Sequence, residues 1–123
     1  VTLPTEDVPP LLAAADLALM PAADHLSRRV CAPIKFSEYM AAGLPTAASE
    51  HVGDTQAWIE DEGLGVVMDQ TRREESVTRI TSFLTSEEFR TGRARQRCLD
   101  FARRELDMAE TLTQYEAIYR ELE

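Results

Sequence analysis

The sequence predicts an α/β fold: a parallel sheet with flanking helices, followed by a helical C-terminus. Three observations predict it. Short apolar runs at Leu17–Met20, Thr46–Ser49 and Leu64–Met68 have the length and composition of buried strands. Helical segments lie between them, and each connection is long enough for the crossover that parallel strands require. From Glu74 onward the apolar residues recur only at helical spacing. A chain of 123 residues is long enough for one domain and a real core, burying about two-thirds of the unfolded surface, so residues 1–123 are read as a single domain.

Taken in order, Val1–Leu3 reads as a short strand stopped by Pro4. Thr5 or Asp7 caps a helix with Pro9 and Pro10 in its first turn, running to about Ala15. Asp16 turns the chain into the strand at Leu17–Met20. Residues 21–32 have no periodicity and form a long loop carrying the basic pair Arg28 and Arg29. After the next strand, His51, Val52 and Gly53 form a loop, Asp54 or Thr55 caps a helix containing Trp58 and Ile59, and Gly63 ends it ahead of Leu64–Met68. Val77, Ile80, Phe83 and Leu84 make one helical face. Ser86 with Glu87 and Glu88 opens a further helix whose apolar side continues through Cys98, Leu99 and Ala102, with Arg93, Arg95, Arg97, Arg103 and Arg104 facing out. Asp107 begins a last helix with Leu112, Tyr115, Ile118, Tyr119 and Leu122 inward. There is no internal repeat, low-complexity tract or linker.

The residues Pro33–Pro45, P-I-K-F-S-E-Y-M-A-A-G-L-P, form the central helix. Pro33 suits the first helical position, Gly43 a left-handed stop, and Pro45 forbids continuation. On a wheel, Phe36, Tyr39 and Met40 cover one side and Ile34 with Ala41 another. That leaves a narrow charged slot at Lys35 and Glu38, in a helix otherwise buried on most sides. A cation in the first turn faces the positive end of the macrodipole and costs roughly 0.3–1 kcal/mol if nothing offsets it. An anion bound at the helix start reverses that sign; a solvated Lys35–Glu38 surface pair is the alternative.

Composition narrows the function classes. The formal net charge of −9, from 13 Lys and Arg against 22 Asp and Glu, disfavours non-specific binding to nucleic acid or an anionic membrane. No apolar run reaches membrane-spanning length and no signal-peptide pattern opens the chain. Cys31 and Cys98 stand outside any metal or redox spacing, so free thiols in a reducing cytoplasm are expected. Glu60, Asp61 and Glu62 are consecutive on a helix and cannot easily share one ion. The arginine-rich run from Arg90 to Arg104 lacks interleaved aromatics and reads as a solvated face. Trp58, Phe83, Phe101, Tyr115 and Tyr119 read as core.

In parallel α/β sheets, ligands bind beyond the carboxyl ends of the strands. The loop 21–32 leaves such an end and enters the start of the central helix. It therefore brings Arg28 or Arg29, Lys35 and the helix-start N–H groups together, as a phosphate needs.

The phrases A-A-A-D-L-A-L-M-P, R-V-C-A-P-I-K-F-S-E-Y-M-A-A-G-L-P-T-A-A-S and V-G-D-T resemble the C-terminal domain of group 1 retaining glycosyltransferases of the GT-B fold. The resemblance runs from about Val8 to Met68, and looser similarity extends to Tyr115 and Tyr119 on the last helix. It implies a Rossmann-like domain of a hexosyltransferase-type enzyme that binds a nucleotide-diphospho-sugar donor. Glu38 matches the family's acceptor of ribose hydroxyl hydrogen bonds, Lys35 and the helix start lie at the diphosphate, and Arg29 is the expected second cation. The family's Glu that holds the transferred sugar is replaced by Val30. No catalytic base is assigned: His25 and His51 are loop residues, and Asp24 reads as a turn former.

On this resemblance the chain is part of a donor domain, with the acceptor domain upstream of residue 1. The isolated chain is then expected to be inactive. The acceptor, a glycan, lipid or small molecule, would be reached through that other domain, and no divalent metal or other cofactor is expected. The remaining alternative is a Rossmann-like interaction or nucleotide-binding module that has lost catalysis. Lys35 and Glu38 favour the enzyme, and Val30 favours the alternative.

Overall fold

The structure, a computed structural model, describes residues 3–122. Its sheet is parallel and three-stranded, in the order β1 (Ala18–Met20), β2 (Thr46–Ser49), β3 (Gly65–Met68). Ala18, Leu19 and Met20 stand opposite Thr46, Ala47 and Ala48, and Thr46 to Ser49 opposite Gly65 to Met68. The expected α/β fold with flanking helices and a helical C-terminus is therefore what forms. The strand expected at Val1–Leu3 falls largely outside the described residues.

The central strand shows how the layers close. All four residues of β2 are buried, and Ala47 and Ala48 are small enough to let helices approach the sheet closely. Helices α1 (Val8–Ala13), α2 (Ile34–Ala41) and α3 (Thr55–Glu62) precede α4 (Arg73–Thr85), α5 (Glu87–Arg90), α6 (Arg93–Glu105) and α7 (Met108–Glu121). Phe36 and Met40 of α2, Ile59 of α3, and Cys98 and Phe101 of α6 meet Ala48, Leu64 and Val67 in one core, with Trp58 packed against it. Phe36 and Trp58 stack at 5.9 Å, and the Phe101 ring lies 5.5 Å from Trp58 and 6.3 Å from Phe36. Offset and edge-on aromatic contacts of this kind add to the area they bury. Together they seat α2, which carries Lys35 and Glu38, on the sheet.

The stop signals of α2 act as their chemistry requires. Leu44 N–H donates to Tyr39 O at 2.8 Å and Gly43 N–H to Met40 O at 3.0 Å, with Gly43 at φ 66°. This double bond pattern satisfies the last helical carbonyls. Ser86 and Asp107 cap α5 and α7 as expected, accepting from the N–H groups of Phe89 and Ala109. Gly63, at φ 66°, ends α3.

Several expectations are corrected. Pro33 is the N-cap of α2, not its first helical residue, because its extended ψ of 113° turns its carbonyl to accept from Phe36 N–H. Helix α2 is buried along one side only. Ile34 (76% exposed) and Ala41 face solvent, since the core contacts of α2 all lie on the Phe36–Met40 stripe. Strand β1 lies at the edge of the described sheet and leaves Leu19 exposed. The helix opened by Ser86 does not run on to Ala102. Gly92, at φ 76°, breaks it into α5 and α6. Val77 is exposed on α4, where buried Ser76 takes the inward position.

Arg95 does not face out with its neighbours. Its guanidinium donates to Ala42 O at 3.3 Å and Ala15 O at 3.0 Å, because carbonyls at helix ends lack intrahelical donors. By contrast, Arg93, Arg97, Arg103 and Arg104 are solvent-facing and ion-paired with acidic neighbours. The apolar face of α7 is the largest correction: Leu112, Tyr115, Ile118, Tyr119 and Leu122 are all exposed. Helix α7 buries no residue among those described. Periodicity shows which face is apolar, not whether another element covers it.

Candidate functional site

The site begins where β1 ends. Pro21 leads the chain out of the sheet, the loop makes one 3-10 turn at Leu26–Arg28, and Pro33 delivers it into α2. Strand end, loop and helix start then enclose a cavity of about 470 Å³, whose walls include Met20, Ala22, Arg28, Pro33, Lys35 and Tyr39. The predicted convergence is therefore present in three dimensions.

The electrostatics of this cavity are one-sided. No side chain caps the start of α2. With Phe36 N–H donating to Pro33 O, the N–H groups of Ile34 and Lys35 and the positive end of the helix dipole remain for an anion. Lys35 and Arg28 add two cations to the same walls. Among the described residues, neither Lys35 nor Glu38 makes an ion pair within 4.0 Å, so the surface pair is not formed.

The three residues predicted for the site do not share one cavity. Glu38, three residues on from Lys35, faces a separate cleft of about 500 Å³ between the first helical segment and α2, walled by Thr5, Val8, Pro9, Leu12 and Ala42. This cleft is mostly apolar, with Glu38 its one carboxylate. Arg29 lines a third, more open depression with His51, Gln56 and Glu60, and pairs loosely with Asp24 at 3.7 Å. Arg28, not Arg29, stands with Lys35. No periodicity in an irregular loop could have separated these neighbours; the loop's path through the 3-10 turn sets them on the walls of different cavities.

Gly53 is a residue whose role the sequence did not reveal. Its N–H donates to Arg28 O at 2.9 Å, and a Cβ on it would lie 2.0 Å from Cys31 O. The loop that carries Arg28 is thus pressed directly onto the backbone of the turn after β2. Only a residue without a side chain fits there. The doublet Val52-Gly53 just ahead of α3 was the available signal; Asp54 takes the N-cap position there without the expected side-chain capping bond.

Cys98 takes no part in any chemistry here. It is buried, its thiol lies 3.8 Å from Leu64 O, and burial pushes its pKa up to about 12. No group of three or more metal-ligating side chains occurs among the described residues. Nor, among these, is any helix long and apolar enough to cross a membrane. Val30, at the position where the resemblance implies a sugar-holding Glu, is 87% exposed and carries no polar group.

A family model described as "Glycosyl transferases group 1" matches residues 1–86. No curated protein and no solved structure matches.

Proposed function

The chain belongs to the group 1 glycosyl transferases, and from that premise we propose that it binds a nucleotide-diphospho-sugar donor across the first turns of α2, for retaining transfer of a hexosyl group. The diphosphate occupies the cavity of Lys35, Arg28 and the uncapped helix start. The ribose hydroxyls donate to Glu38, and the base lies toward the apolar cleft between the first helical segment and α2. The departing diphosphate is stabilised electrostatically by cations and helix N–H groups already in place. No divalent ion is needed for that charge. The acceptor is a glycan, lipid or small molecule of the cytoplasm or its membrane face.

The observation that carries this reading is the convergence itself. One cavity joins the carboxyl end of a parallel strand, an uncapped helix start and two cations that meet no carboxylate there. Val30 favours a second reading, a module that binds the nucleotide but no longer transfers sugar, because a valine cannot hydrogen-bond a hydroxyl.

Calorimetric titration with a panel of nucleoside diphosphates tests the proposal. Each truncation, Lys35→Ala or Glu38→Ala, removes a charge-assisted hydrogen bond worth roughly 1.5–3 kcal/mol. Affinity should fall about ten- to a hundredfold in each. A chelator should change nothing, and Tm should hold in both variants because both side chains are exposed. Wild-type affinity in both variants would falsify the assignment. Donor binding without transfer by the enzyme would select the second reading.

A further inference from the structure

Resting on the donor reading above, we propose that Gln70 is a positioning residue for the diphosphate cavity: with Ser49 it clamps Ala22 and so holds the loop that carries Arg28. Apart from one 3-10 turn, residues 21–32 form no regular structure, so ordering them costs backbone entropy that local bonds do not recover. Where Arg28 sits therefore depends on where this loop is tied to the sheet.

The first tie holds both backbone groups of one residue. Ser49, the last residue of β2 and 1% exposed, accepts the Ala22 N–H at 2.9 Å. The Gln70 amide Nε2 donates to Ser49 Oγ at 2.7 Å and also to Ala22 O. A carboxamide nitrogen has two hydrogens, and both are used. Ala22 itself lines the cavity of Lys35 and Arg28, while Gln70 stands in a separate depression behind Pro21. Gln70 thus acts on the cavity through Ala22 and does not touch what the cavity holds.

The platform under Gln70 is held on both flanks. The Asp69 carboxylate accepts from Thr71 N–H at 2.8 Å and Thr71 Oγ at 2.6 Å and pairs with Arg72 at 3.3 Å. Asp69 N–H donates to Ser76 Oγ at 3.0 Å at the start of α4. An exposed glutamine with a committed amide on a fixed turn is placed to orient another segment. The second tie, Gly53 N–H to Arg28 O, lies six residues further along the loop. With the clamp released, that bond would be what ties Arg28 to a segment outside its own loop.

Two variants separate donation from shape and charge: Gln70→Ala removes the donor without adding charge, and Gln70→Glu keeps the shape without a donor. Hydrogen exchange of the ligand-free protein and calorimetry with a nucleoside diphosphate and its uncharged nucleoside are run on both, with Lys35→Ala alongside. Amide exchange over residues 22–29 should rise roughly tenfold in both variants, with β2 and β3 still protected. Diphosphate affinity should fall roughly three- to tenfold while nucleoside affinity holds. A purely structural glutamine would leave the ratio of the two affinities unchanged, and that result overturns the proposal. So does unchanged loop exchange in either variant. Equal affinity of wild type and Lys35→Ala would instead sink the donor reading, and with it the role given to Gln70. The exchange measurement would still show whether the clamp exists.

Discussion

Gly53→Ala is the sharpest perturbation of the site that avoids every proposed ligand contact. A methyl there would sit 2.0 Å from Cys31 O, against about 3.3 Å for the closest ordinary carbon–oxygen approach. The turn and the loop must therefore part by more than about 1 Å, which breaks the 2.9 Å bond from Gly53 N–H to Arg28 O. Placing alanine at φ 48° adds left-handed strain of about 1–2 kcal/mol, and the lost hydrogen bond about 0.5–1.5 kcal/mol. The sum, about 1.5–3.5 kcal/mol, should lower Tm by roughly 5–17 °C in a chain of this size. Arg28 should move with the loop, weakening nucleoside-diphosphate binding roughly tenfold. The control is Gly92→Ala. Its φ of 76° carries similar strain, but nothing lies within 4 Å of the added Cβ. It should cost only about 1–2 kcal/mol and leave affinity untouched. Thermal melts and titration calorimetry read both effects. Equal Tm losses in the two variants, with wild-type affinity in Gly53→Ala, would refute the close-approach reasoning.

Two further predictions concern the frame behind the site. Arg95→Ala should lower stability by about 1.5–3 kcal/mol, because it strips the donors from Ala42 O and Ala15 O, and Arg95→Lys should recover only part of this since one ammonium cannot bridge both carbonyls as a fork does; thermal melts that match wild type in Arg95→Ala would show the bridge to be idle. The buried Cys98 thiol titrates near 12 in the folded state, against an ordinary value of 9.0. The unfolded chain thus binds fewer protons between those values, and stability should fall as pH rises through that window and be unaffected below it. Cys98→Ala should flatten this alkaline limb in denaturant titrations, and an unchanged slope would exclude Cys98 as its source.

The boundaries of the elements were legible because their signals act over a few residues. Pro33, Gly43 and Pro45 bracket α2, Ser86 and Asp107 cap the helices after them, and the apolar runs at 46–49 and 64–68 become β2 and β3. The parallel sheet followed from those runs and the lengths of their connections. The charge conflict of Lys35 at a helix start already pointed to an anion, since a macrodipole is a property of the helix alone.

Everything that depends on distant neighbours needed the fold. Ile34 and Ala41 look like a buried face until the packing of α2 onto one side is known, and the stripe on α7 looks inward although nothing described covers it. Arg95 reads as one of a solvated set, yet carbonyls 53 and 80 residues away draw it in. Arg28 and Arg29 are chemically equal neighbours, and only the folded loop sets the first on the cavity that Lys35 also lines and the second on another. Gln70 has no local signal at all, because its two acceptors, on Ala22 and Ser49, are brought to it by separate strands. Periodicity and caps are set by the chain within a few residues, whereas burial, pairing and cavity walls belong to whichever segments the sheet sets side by side.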